Sequence, residues 1–384
     1  MRVLHVMEST VGGTRKHLVD TARGLARAGV EVHVAASAER TPDFRRDLEE
    51  LGREGCEVLE VPMVRSLRPL ADRAHARVLE RAIRERRPDI VHTHSSKAGA
   101  LGRHAARRAK TGARLVHTPH TFAFLFDAMF PAWKRRFYYA VERRLAARTD
   151  VVIAVSESEA RTIRESGVVP PERVRVVPNG IDPTPWLEAA PGKGAGALDR
   201  RGMMVPRAAP LAAVVGLLNV AKGQDVAIRA LAEEPARELH LLIVGQGETR
   251  AELTDLVRQL GVGDRTHFVG WRADVPAVLS ICDLVLVPSR WEGLPYIALE
   301  AMAAGLPLVC TRVDGLLDVV VDGETGYLAA PDSPAELAAA LGRLMALAPE
   351  DRRALGEAGR RRVFEGFTLE HMIERLLAVY RELV

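Results

Sequence analysis

Short runs of Val, Ile and Leu alternate with longer helical patterns along the whole chain, and this alternation constrains the fold most. Such runs are typical of parallel strands that helices bury on both faces. The pattern occurs twice, which predicts an α/β protein of two doubly wound parallel-sheet domains. Strands are predicted at residues 3–7, 31–36, 58–61, 90–93, 114–117, 151–155, 175–177, 212–215, 240–244, 267–269, 284–288, 308–310 and 326–328.

The chain of 384 residues is long enough for two cored domains. Residues 183–210 are rich in Pro, Gly and Ala and show no sustained period, as is typical of a linker. We therefore predict a first domain at 1–180, a linker at 181–210 and a second domain from 211. Two such domains in tandem are expected to face each other across a cleft, with ligands beyond the carboxyl ends of the strands.

The cysteines and the hydropathy exclude several protein classes. Cys56, Cys282 and Cys310 are odd in number and form no CxxC, so neither a disulfide framework nor a zinc knuckle is indicated. The start MRVLHVM is too short for a signal peptide, and no window approaches the roughly 18 apolar residues of a membrane span. We expect a cytoplasmic protein that is soluble or peripheral on the inner face of the cell membrane.

The charge is distributed unevenly. Residues 1–180 carry 33 Lys and Arg against 22 Asp and Glu, a net +11, whereas the remainder carries 21 against 28, a net −7. A basic half indicates an anionic partner, either nucleic acid, an acidic lipid or a phosphorylated substrate, or else only an Arg-rich surface. Nucleic acid is disfavoured because the basic residues are spread over several helices without a reader motif.

In the first half, glycines and polar side chains follow the predicted strands. Gly12 and Gly13 open a helix after the first strand, where backbone N–H groups favour phosphate. His94 and Lys97 follow the fourth strand and His120 follows the fifth. His94 shares a strand face with His92, but no carboxylate or cysteine is near in sequence, so we favour hydrogen bonds to substrate over a metal site.

In the second half, two segments combine glycine with charge. Gly216 permits a tight turn after a strand, and Lys222 places an ammonium at a helix start, which suits a diphosphate. Another strand runs into PSRWEGLPYIALEAMAAGLP at 288–307. There Pro295 divides a loop that holds Glu292 from a helix that holds Glu300 in its second turn.

The same segment offers backbone donors. Gly293 and Leu294 present N–H groups at the helix mouth, suited to hydroxyls or a negatively charged leaving group. The alternative is that Glu292 is only a charge at a helix start and Glu300 a surface residue. For Glu300 the flanking apolar run IALEAMAA argues against simple exposure to solvent.

Several motifs together resemble the family 4 glycosyltransferases of the GT-B fold, over nearly the whole chain. The likeness is carried by GGTRKHLVDTARGLARAG near the start, VHTHSSKAGALGR, VSESEARTI, VPNGID, KGQD and the Glu-x7-Glu motif followed by AMAAGLP. The resemblance implies a hexosyltransferase-type enzyme that retains anomeric configuration, uses a nucleoside diphosphate sugar and needs no metal or cofactor. The chain has no Asp-x-Asp triplet, which agrees.

The resemblance also implies roles for single residues and for the chain's end. The second domain would end at residue 364, and residues 365–384 would form a helix that packs back on the first domain. Catalytic roles would fall to Lys222, Glu292 and His120. The donor would contact Gly12, Gly13, Gly216, Lys222, Gly270, Glu292, Gly293, Leu294 and Glu300, and the acceptor would contact His94, Lys97, His120 and Thr121.

Two residues depart from the family pattern. Leu217 stands where the family usually has Arg, so a cation expected on the diphosphate is missing. The loss of one such group can cost on the order of 100-fold in rate, unless another Arg compensates. Thr121 stands where Gly is common and is expected to crowd the acceptor.

The acceptor and the rival functions remain open at this point. Residues 122–139 hold eight of the 18 aromatic residues and continue into an Arg-rich stretch, which indicates either a membrane interface and lipid-linked acceptor or a core-facing stripe. A sugar or small-molecule acceptor is equally compatible, in polysaccharide, glycolipid or natural-product synthesis. We favour a UDP-sugar over GDP- or ADP-sugars. The rivals are a UDP-sugar epimerase of GT-B-like fold and a non-catalytic sugar-nucleotide-binding subunit.

Overall fold

The computed structural model describes residues 1–126, 129–188, 200–203 and 205–384. The chain divides into two compact units, Met1–Asn179 with Leu369–Val384, and Gly180–Thr368. Within the predicted linker, residues 189–199 and 204 lie outside the described residues. Every predicted strand is present with both ends within one residue of the prediction, so the two-sheet α/β interpretation is confirmed.

The first unit contains a seven-stranded parallel sheet. Its strands have the order β3-β2-β1-β4-β5-β6-β7, so the topology reverses between β1 and β4. Their bounds are β1 (Arg2–Met7), β2 (Glu31–Ala36), β3 (Glu57–Glu60), β4 (Ile90–His94), β5 (Arg114–Thr118), β6 (Val151–Ala154) and β7 (Val174–Val176).

The second unit contains a six-stranded parallel sheet. Its order is β10-β9-β8-β11-β12-β13, and the reversal falls between β8 and β11. The bounds are β8 (Leu211–Val215), β9 (His240–Val244), β10 (Thr266–Gly270), β11 (Leu284–Val287), β12 (Leu308–Thr311) and β13 (Gly326–Ala329).

Helices connect successive strands and cover both faces of each sheet, as right-handed crossovers between parallel strands require. They are α1 (Gly12–Arg27), α2 (Phe44–Arg53), α3 (Pro69–Arg86), α4 (Ser96–Ala109), α5 (Ala132–Ala146), α6 (Glu157–Ser166), α7 (Thr184–Glu188), α8 (Gln224–Ala230), α9 (Arg250–Leu260), α10 (Val275–Ser280), α11 (Tyr296–Ala303), α12 (Leu316–Val319), α13 (Pro334–Ala346), α14 (Pro349–Gly366) and α15 (Leu369–Arg381).

The core of the first unit has two layers. On one face Leu18 of α1 and Leu376 of α15 join Val3 of β1 in a single buried cluster, and on the other face Leu79 of α3 packs in a cluster with Leu4 of β1. A fully buried Leu contributes about 1.5 to 3 kcal/mol. The last helix is therefore part of the hydrophobic core of the first unit.

Candidate active site

The reversal point of the second sheet brings two of the predicted residues together. In a doubly wound sheet, ligands bind beyond the carboxyl ends of the strands at such a point, because the connections diverge there and leave a crevice. Lys222 lies in the segment after β8, and Glu292 lies in the loop after the neighbouring strand β11. The two residues are 70 apart in sequence and in contact in the structure.

Lys222 and Glu292 form an ion pair. Lys222 Nζ donates a hydrogen bond to Glu292 Oε1 at 2.6 Å, and Ser289 Oγ donates to the same oxygen at 2.6 Å. The Glu292 side chain is 9% exposed and that of Lys222 is 27% exposed. The ammonium is thus positioned by a carboxylate while part of it remains open to an anionic ligand.

A tight turn fixes the position of Lys222. Asn219 Oδ1 accepts a hydrogen bond from the Lys222 N–H at 3.3 Å and begins the 3-10 helix Val220–Lys222. Gly223 follows at φ 62°, and a Cβ atom there would lie 2.0 Å from the carbonyl oxygen of Pro288. Only glycine satisfies both the left-handed backbone and this close approach.

Two other glycines predicted to contact the donor lie at strand ends. Gly216 follows β8, and a Cβ atom there would lie 3.8 Å from the Cδ and Cε atoms of Lys222. Gly270 is the last residue of β10, and its carbonyl accepts a hydrogen bond from the Gly245 N–H at 2.7 Å. Beside it, the Trp271 side chain is 62% exposed.

Arg290, which the sequence interpretation passed over, anchors the same turn. Its guanidinium donates to both carboxylate oxygens of Asp225 at 2.9 and 2.7 Å, to Asp332 at 2.6 Å and to the Val220 carbonyl at 2.7 Å. Its own N–H donates to the Ala221 carbonyl at 2.8 Å. The Asp225 hydrogen bonds raise the pKa of Arg290. Arg290 therefore ties the loop after β11 to the turn after β8.

Arg290 does not replace the cation that Leu217 leaves out. Its donors are directed to two carboxylates and a carbonyl, so it is a structural residue of the turn. Leu217 is half-buried, and its carbonyl accepts a hydrogen bond from Gln224 Nε2 at 2.9 Å. At this turn, Lys222 is partly exposed, and its contact with a diphosphate remains a prediction.

The structure confirms that residues 288–307 divide into a loop that holds Glu292 and a helix that holds Glu300. Pro295 has φ −73° and ψ 127° and precedes α11, so Glu292 lies in the loop. Glu300 is the fifth residue of α11, in its second turn, and its side chain is half-buried. The two carboxylates thus belong to different elements.

The loop between them is held by close backbone packing. Gly315 has φ 76°, and a Cβ atom there would lie 2.1 Å from the Gly293 carbonyl oxygen and 2.8 Å from Leu294 Cα. The backbone at Gly315 therefore packs closely against Gly293 and Leu294, just before the start of α11. Their predicted contact with the donor remains a prediction.

In the first unit, the loop after β1 leads into α1. This helix begins at Gly12, with Gly12 and Gly13 both exposed, and has no side-chain cap and no acidic residue in its first turn. The first N–H groups of a helix carry partial positive charge and lack helix partners. The start of α1 has the chemistry expected of a phosphate-binding loop.

A cluster of five histidines, four of them buried and His120 half-buried, lies beside it at the reversal point between β1 and β4. Neighbouring ring centroids in this histidine cluster are 4.2 to 5.5 Å apart. Burial lowers the pKa of all five, to about 3 for one on β1 and about 4 for one on α1. The imidazoles are therefore neutral at pH 7. The members are His5, His17, His92, His94 and His120.

Four residues outside the predicted set hold this cluster. Tyr380 OH lies 2.6 Å from His92 Nδ1, and Thr118 Oγ1 lies 2.8 Å from His92 Nε2. Asn179 Oδ1 lies 3.0 Å from His17 Nδ1. The fourth is Glu159, in the first turn of α6, which accepts a hydrogen bond from the turn after β5. The periodicity of a sequence cannot show that residues so far apart are in contact. Asn179 and Glu159 nevertheless lie in two of the family motifs, VPNGID and VSESEARTI.

The turn after β5 is strained and clamped. His120 has φ 50° and Thr121 has φ 72°, values that are rare for residues with a Cβ and rarer for a β-branched one. Glu159 is 2% exposed and accepts hydrogen bonds from the N–H groups of Thr121 and Val155, both at 2.7 Å. Strain of this kind concentrates at functional sites. The positive φ also explains why glycine suits position 121.

The other predicted acceptor residues are engaged within the protein. Lys97 Nζ donates to Asp72 and, at 3.0 Å, to the Ser66 carbonyl, and its side chain is 8% exposed. His94 is wholly buried, with its two ring nitrogens 3.0 Å from His5 and 3.3 Å from His120. The structure thus brings His94 and His120 together and places Lys97 in a separate ion pair.

The aromatic segment has two parts. Phe122 and Phe124 are buried in the core, whereas Trp133 is 66% and Phe137 is 52% exposed on α5. The core-facing interpretation therefore holds for Phe122 and Phe124, and contact of the exposed residues with a membrane remains a prediction. The predicted segment also includes residues 127 and 128, which lie outside the described residues.

Comparison with known proteins gives matches over nearly the whole chain. Residues 11–184 match the family model of Glycosyltransferase Family 4, and residues 203–362 match that of Glycosyl transferases group 1. The chain is 32% identical to the D-inositol 3-phosphate glycosyltransferase of Salinispora arenicola (strain CNS-205), over 97% of this chain and 88% of that protein. It is 34% identical to the protein of that description from Actinosynnema mirum, over 96% of this chain and 92% of that protein.

Solved structures show the same fold. Anabaena Alr3699/HepE, crystallised in complex with UDP-glucose, superposes with a TM-score of 0.82 at 22% identity, and the match covers 100% of both chains. Sucrose-phosphate synthase from Thermosynechococcus elongatus also superposes with a TM-score of 0.82, covering 100% of this chain and 99% of that one. At 22% identity these likenesses show the fold alone.

Proposed function

Since this chain belongs to glycosyltransferase family 4 and is a glycosyltransferase with two Rossmann-like domains of the GT-B fold, we propose that it uses a nucleoside diphosphate sugar and retains its anomeric configuration. The observation that carries the proposal is the Lys222–Glu292 ion pair at the reversal point of the second sheet. A diphosphate needs a cation, and sugar hydroxyls need a carboxylate, and the pair offers both.

The ion pair gives donor binding an exchange of partners. A diphosphate oxygen takes the place of Glu292 as the anionic partner of the Lys222 ammonium. The Glu292 carboxylate is then free to accept hydrogen bonds from hydroxyl groups of the sugar. Ser289 remains bonded to Glu292 and keeps it oriented. Glu300, on α11, is assigned to the ribose hydroxyls, and Gly270 to the base.

The reaction we propose is front-face substitution at the anomeric carbon. The bond between that carbon and the diphosphate oxygen breaks with both electrons on the oxygen. The acceptor oxygen forms its bond on the same face, and its proton passes to the departing phosphate. No protein nucleophile takes part. Lys222 stabilises the charge that develops on the leaving group, so its effect is larger in the transition state than in the ground state.

We propose that no metal ion is needed, because Lys222 supplies the cation that other transferases obtain from a metal held by Asp-x-Asp, a triplet that this sequence lacks. Among donors, UDP-sugars are favoured, and the likeness to a protein crystallised with UDP-glucose supports this choice. Thermal-shift measurements with UDP-, GDP- and ADP-sugars test it, since a ligand that binds the native state raises the unfolding temperature.

For the acceptor we propose a small hydroxylated molecule that carries a phosphate. The relatives' name, D-inositol 3-phosphate glycosyltransferase, supports this class, as do the net charge of +11 on residues 1–180 and the uncapped start of α1. His120 and Thr121 are assigned to this part of the reaction. Lys97 is assigned to the acceptor as well, although two of its three N–H donors already bind Asp72 and the Ser66 carbonyl.

A peripheral contact with anionic membrane is a separate proposal about the same unit. The exposed face of α5 presents Trp133 and Phe137 with Arg136, Arg143 and Arg144. Aromatic and basic side chains on one helix face suit the membrane interface. No helix in the described ranges is both long and apolar enough to cross a membrane. Flotation with vesicles of anionic and of neutral lipid tests the contact, and binding to neither removes it.

One assay separates the proposed transferase from its rivals. The full chain is incubated with a UDP-sugar, with and without D-inositol 3-phosphate, and free UDP and free sugar are measured. A transferase releases UDP in proportion to acceptor. An epimerase changes the sugar without acceptor, and a non-catalytic subunit binds the donor without releasing UDP under either condition.

A further inference from the structure

Three members of the histidine cluster form a hydrogen-bonded row that ends at the strained turn. His5 Nδ1 lies 3.0 Å from His94 Nε2, and His94 Nδ1 lies 3.3 Å from His120 Nε2. We call these three residues the imidazole row. His5 and His94 are completely buried, on the neighbouring strands β1 and β4.

The row has only two possible proton arrangements. A neutral imidazole carries one N–H donor and one acceptor nitrogen, so each ring must donate to one neighbour and accept from the other. If His5 donates to His94, then His94 donates to His120, and His120 Nδ1 carries a proton. If the row runs in the opposite direction, His120 Nδ1 is an acceptor and His5 Nε2 carries a proton.

The inner end of the row selects between them. His5 Nε2 is buried and has no hydrogen-bond partner among the described residues. A buried N–H without a partner loses its hydrogen bond to water, and such orphan donors are rarer in proteins than under-used acceptors. The arrangement that leaves His5 Nε2 as a bare acceptor is therefore the more stable one.

The ring nitrogens around the row are mostly engaged in hydrogen bonds within the protein. Both nitrogens of His92 contact hydroxyls, those of Tyr380 and Thr118, and its ring stacks on His94 with centroids 4.2 Å apart. His5 and His94 use the facing nitrogens for each other. Of the six ring nitrogens of His5, His92 and His94, five therefore have a hydrogen-bond partner, and the sixth is His5 Nε2.

We propose that His5 and His94 are positioning residues that fix the tautomer of His120, so that His120 presents an Nδ1–H donor to an oxygen of the bound substrate. This inference rests on the proposed function for the identity of the substrate. It excludes His120 as the base that deprotonates the acceptor, in agreement with transfer of that proton to the departing phosphate.

Nitrogen NMR of the full chain with ¹⁵N-labelled histidine tests the proposal without any substrate. Protonated and bare ring nitrogens differ widely in ¹⁵N shift, and the His120 signals are assigned by their loss in His120→Gln. We expect His120 to be the Nδ1–H tautomer at pH 7. An Nε2–H tautomer in the unmodified protein, or a mixture of the two, overturns the proposal.

Two variants of His94 show whether the tautomer comes through the row. His94→Phe removes the donor to His120, so we expect loss of the fixed tautomer and a fall in kcat of about tenfold, which corresponds to one neutral hydrogen bond. His94→Gln keeps a side-chain N–H donor and should restore both. If the two variants leave the His120 signals unchanged, the row does not set the tautomer.

The activity readout is kept separate from the spectroscopic one. Binding of UDP should be the same in both variants, because Lys222 and Glu300, which we assign to the diphosphate and the ribose, belong to the second unit. If NMR shows the fixed tautomer but no donor or acceptor supports transfer, the proposed function is wrong and the role of the imidazole row stands. If transfer occurs while His120 is a mixture of tautomers, the proposed role of the imidazole row is wrong and the proposed function stands.

Discussion

Lowering the pH from 7 to 5 should destabilise the first unit strongly, because its core contains neutral histidines. Burial is the largest cause of the lowered pKa of each. In the unfolded chain the same side chains are exposed to water and titrate near the ordinary value of 6.5. The groups are His5, His17, His92, His94, His117 and His120.

The magnitude follows from proton linkage. Well above pH 6.5 both states are neutral and the histidines have no effect on the free energy of unfolding. Below 6.5 the unfolded chain takes up protons that the native protein does not, so stability falls as pH falls, until the pH reaches the folded pKa. For His5 and His17, with folded pKa values of about 3 and 4, the loss at pH 5 is about 2 kcal/mol each.

The loss of stability at pH 5 is large compared with the total free energy of unfolding of a domain. These two groups together remove about 4 kcal/mol at pH 5, and the other four act in the same direction, whereas domains are commonly stable by about 5 to 15 kcal/mol. The first unit should therefore lose most of its stability between pH 6.5 and pH 5.

Urea unfolding at pH 7 and pH 5, followed by hydrogen exchange of peptides from each unit, measures this effect. His5→Phe should shrink the difference between the two pH values by about 2 kcal/mol, because one titrating group is gone and the packing cost of the variant cancels in the difference. Leu4→Met, a change of a buried side chain on β1 that does not titrate, provides the control, since it should leave the difference unchanged. An equal free energy of unfolding at both pH values would refute the reasoning.

Two backbone predictions follow from the turns of the two sites. Gly223→Ala should destabilise the second unit by about 3 kcal/mol or more, because its Cβ would lie 2.0 Å from the Pro288 carbonyl oxygen, whereas Gly29→Ala, at φ 80° with no atom within 4 Å, should cost only about 1 kcal/mol. Urea unfolding compares the two, and equal costs would contradict the steric argument. Thr121→Gly should raise the free energy of unfolding by about 1 kcal/mol, the strain at φ 72° less the added entropy of the unfolded chain. A loss of stability in that variant would mean that the turn is not strained.

The fold was predictable because its signals are local. Each strand is a short apolar run between helices, and burial on both faces leaves little doubt about where it lies. The division of Glu292 from Glu300 by Pro295 was predictable for the same reason, since a proline defines where a helix can begin.

The partners within each site were not predictable, because tertiary contacts join residues far apart in sequence. Lys222 and Glu292 were assigned to different parts of the donor, yet they form one ion pair. His92 was interpreted as a substrate ligand, but it is buried against Tyr380, 288 residues away, which no periodicity indicates. Arg290 carried no signal, because a single Arg in a loop has no pattern that distinguishes it.

The role of Lys222 as the diphosphate cation is tested most directly by calorimetric titration of UDP and of uridine into the native protein and the Lys222→Ala variant. Lys222→Ala should weaken UDP by about 10- to 100-fold, the cost of a charged hydrogen bond, and leave uridine unchanged. Arg229→Ala, which removes an exposed cation from the adjacent α8, should change neither. Equal losses for UDP and uridine, or none for UDP, would contradict the assignment of this site to a nucleoside diphosphate sugar.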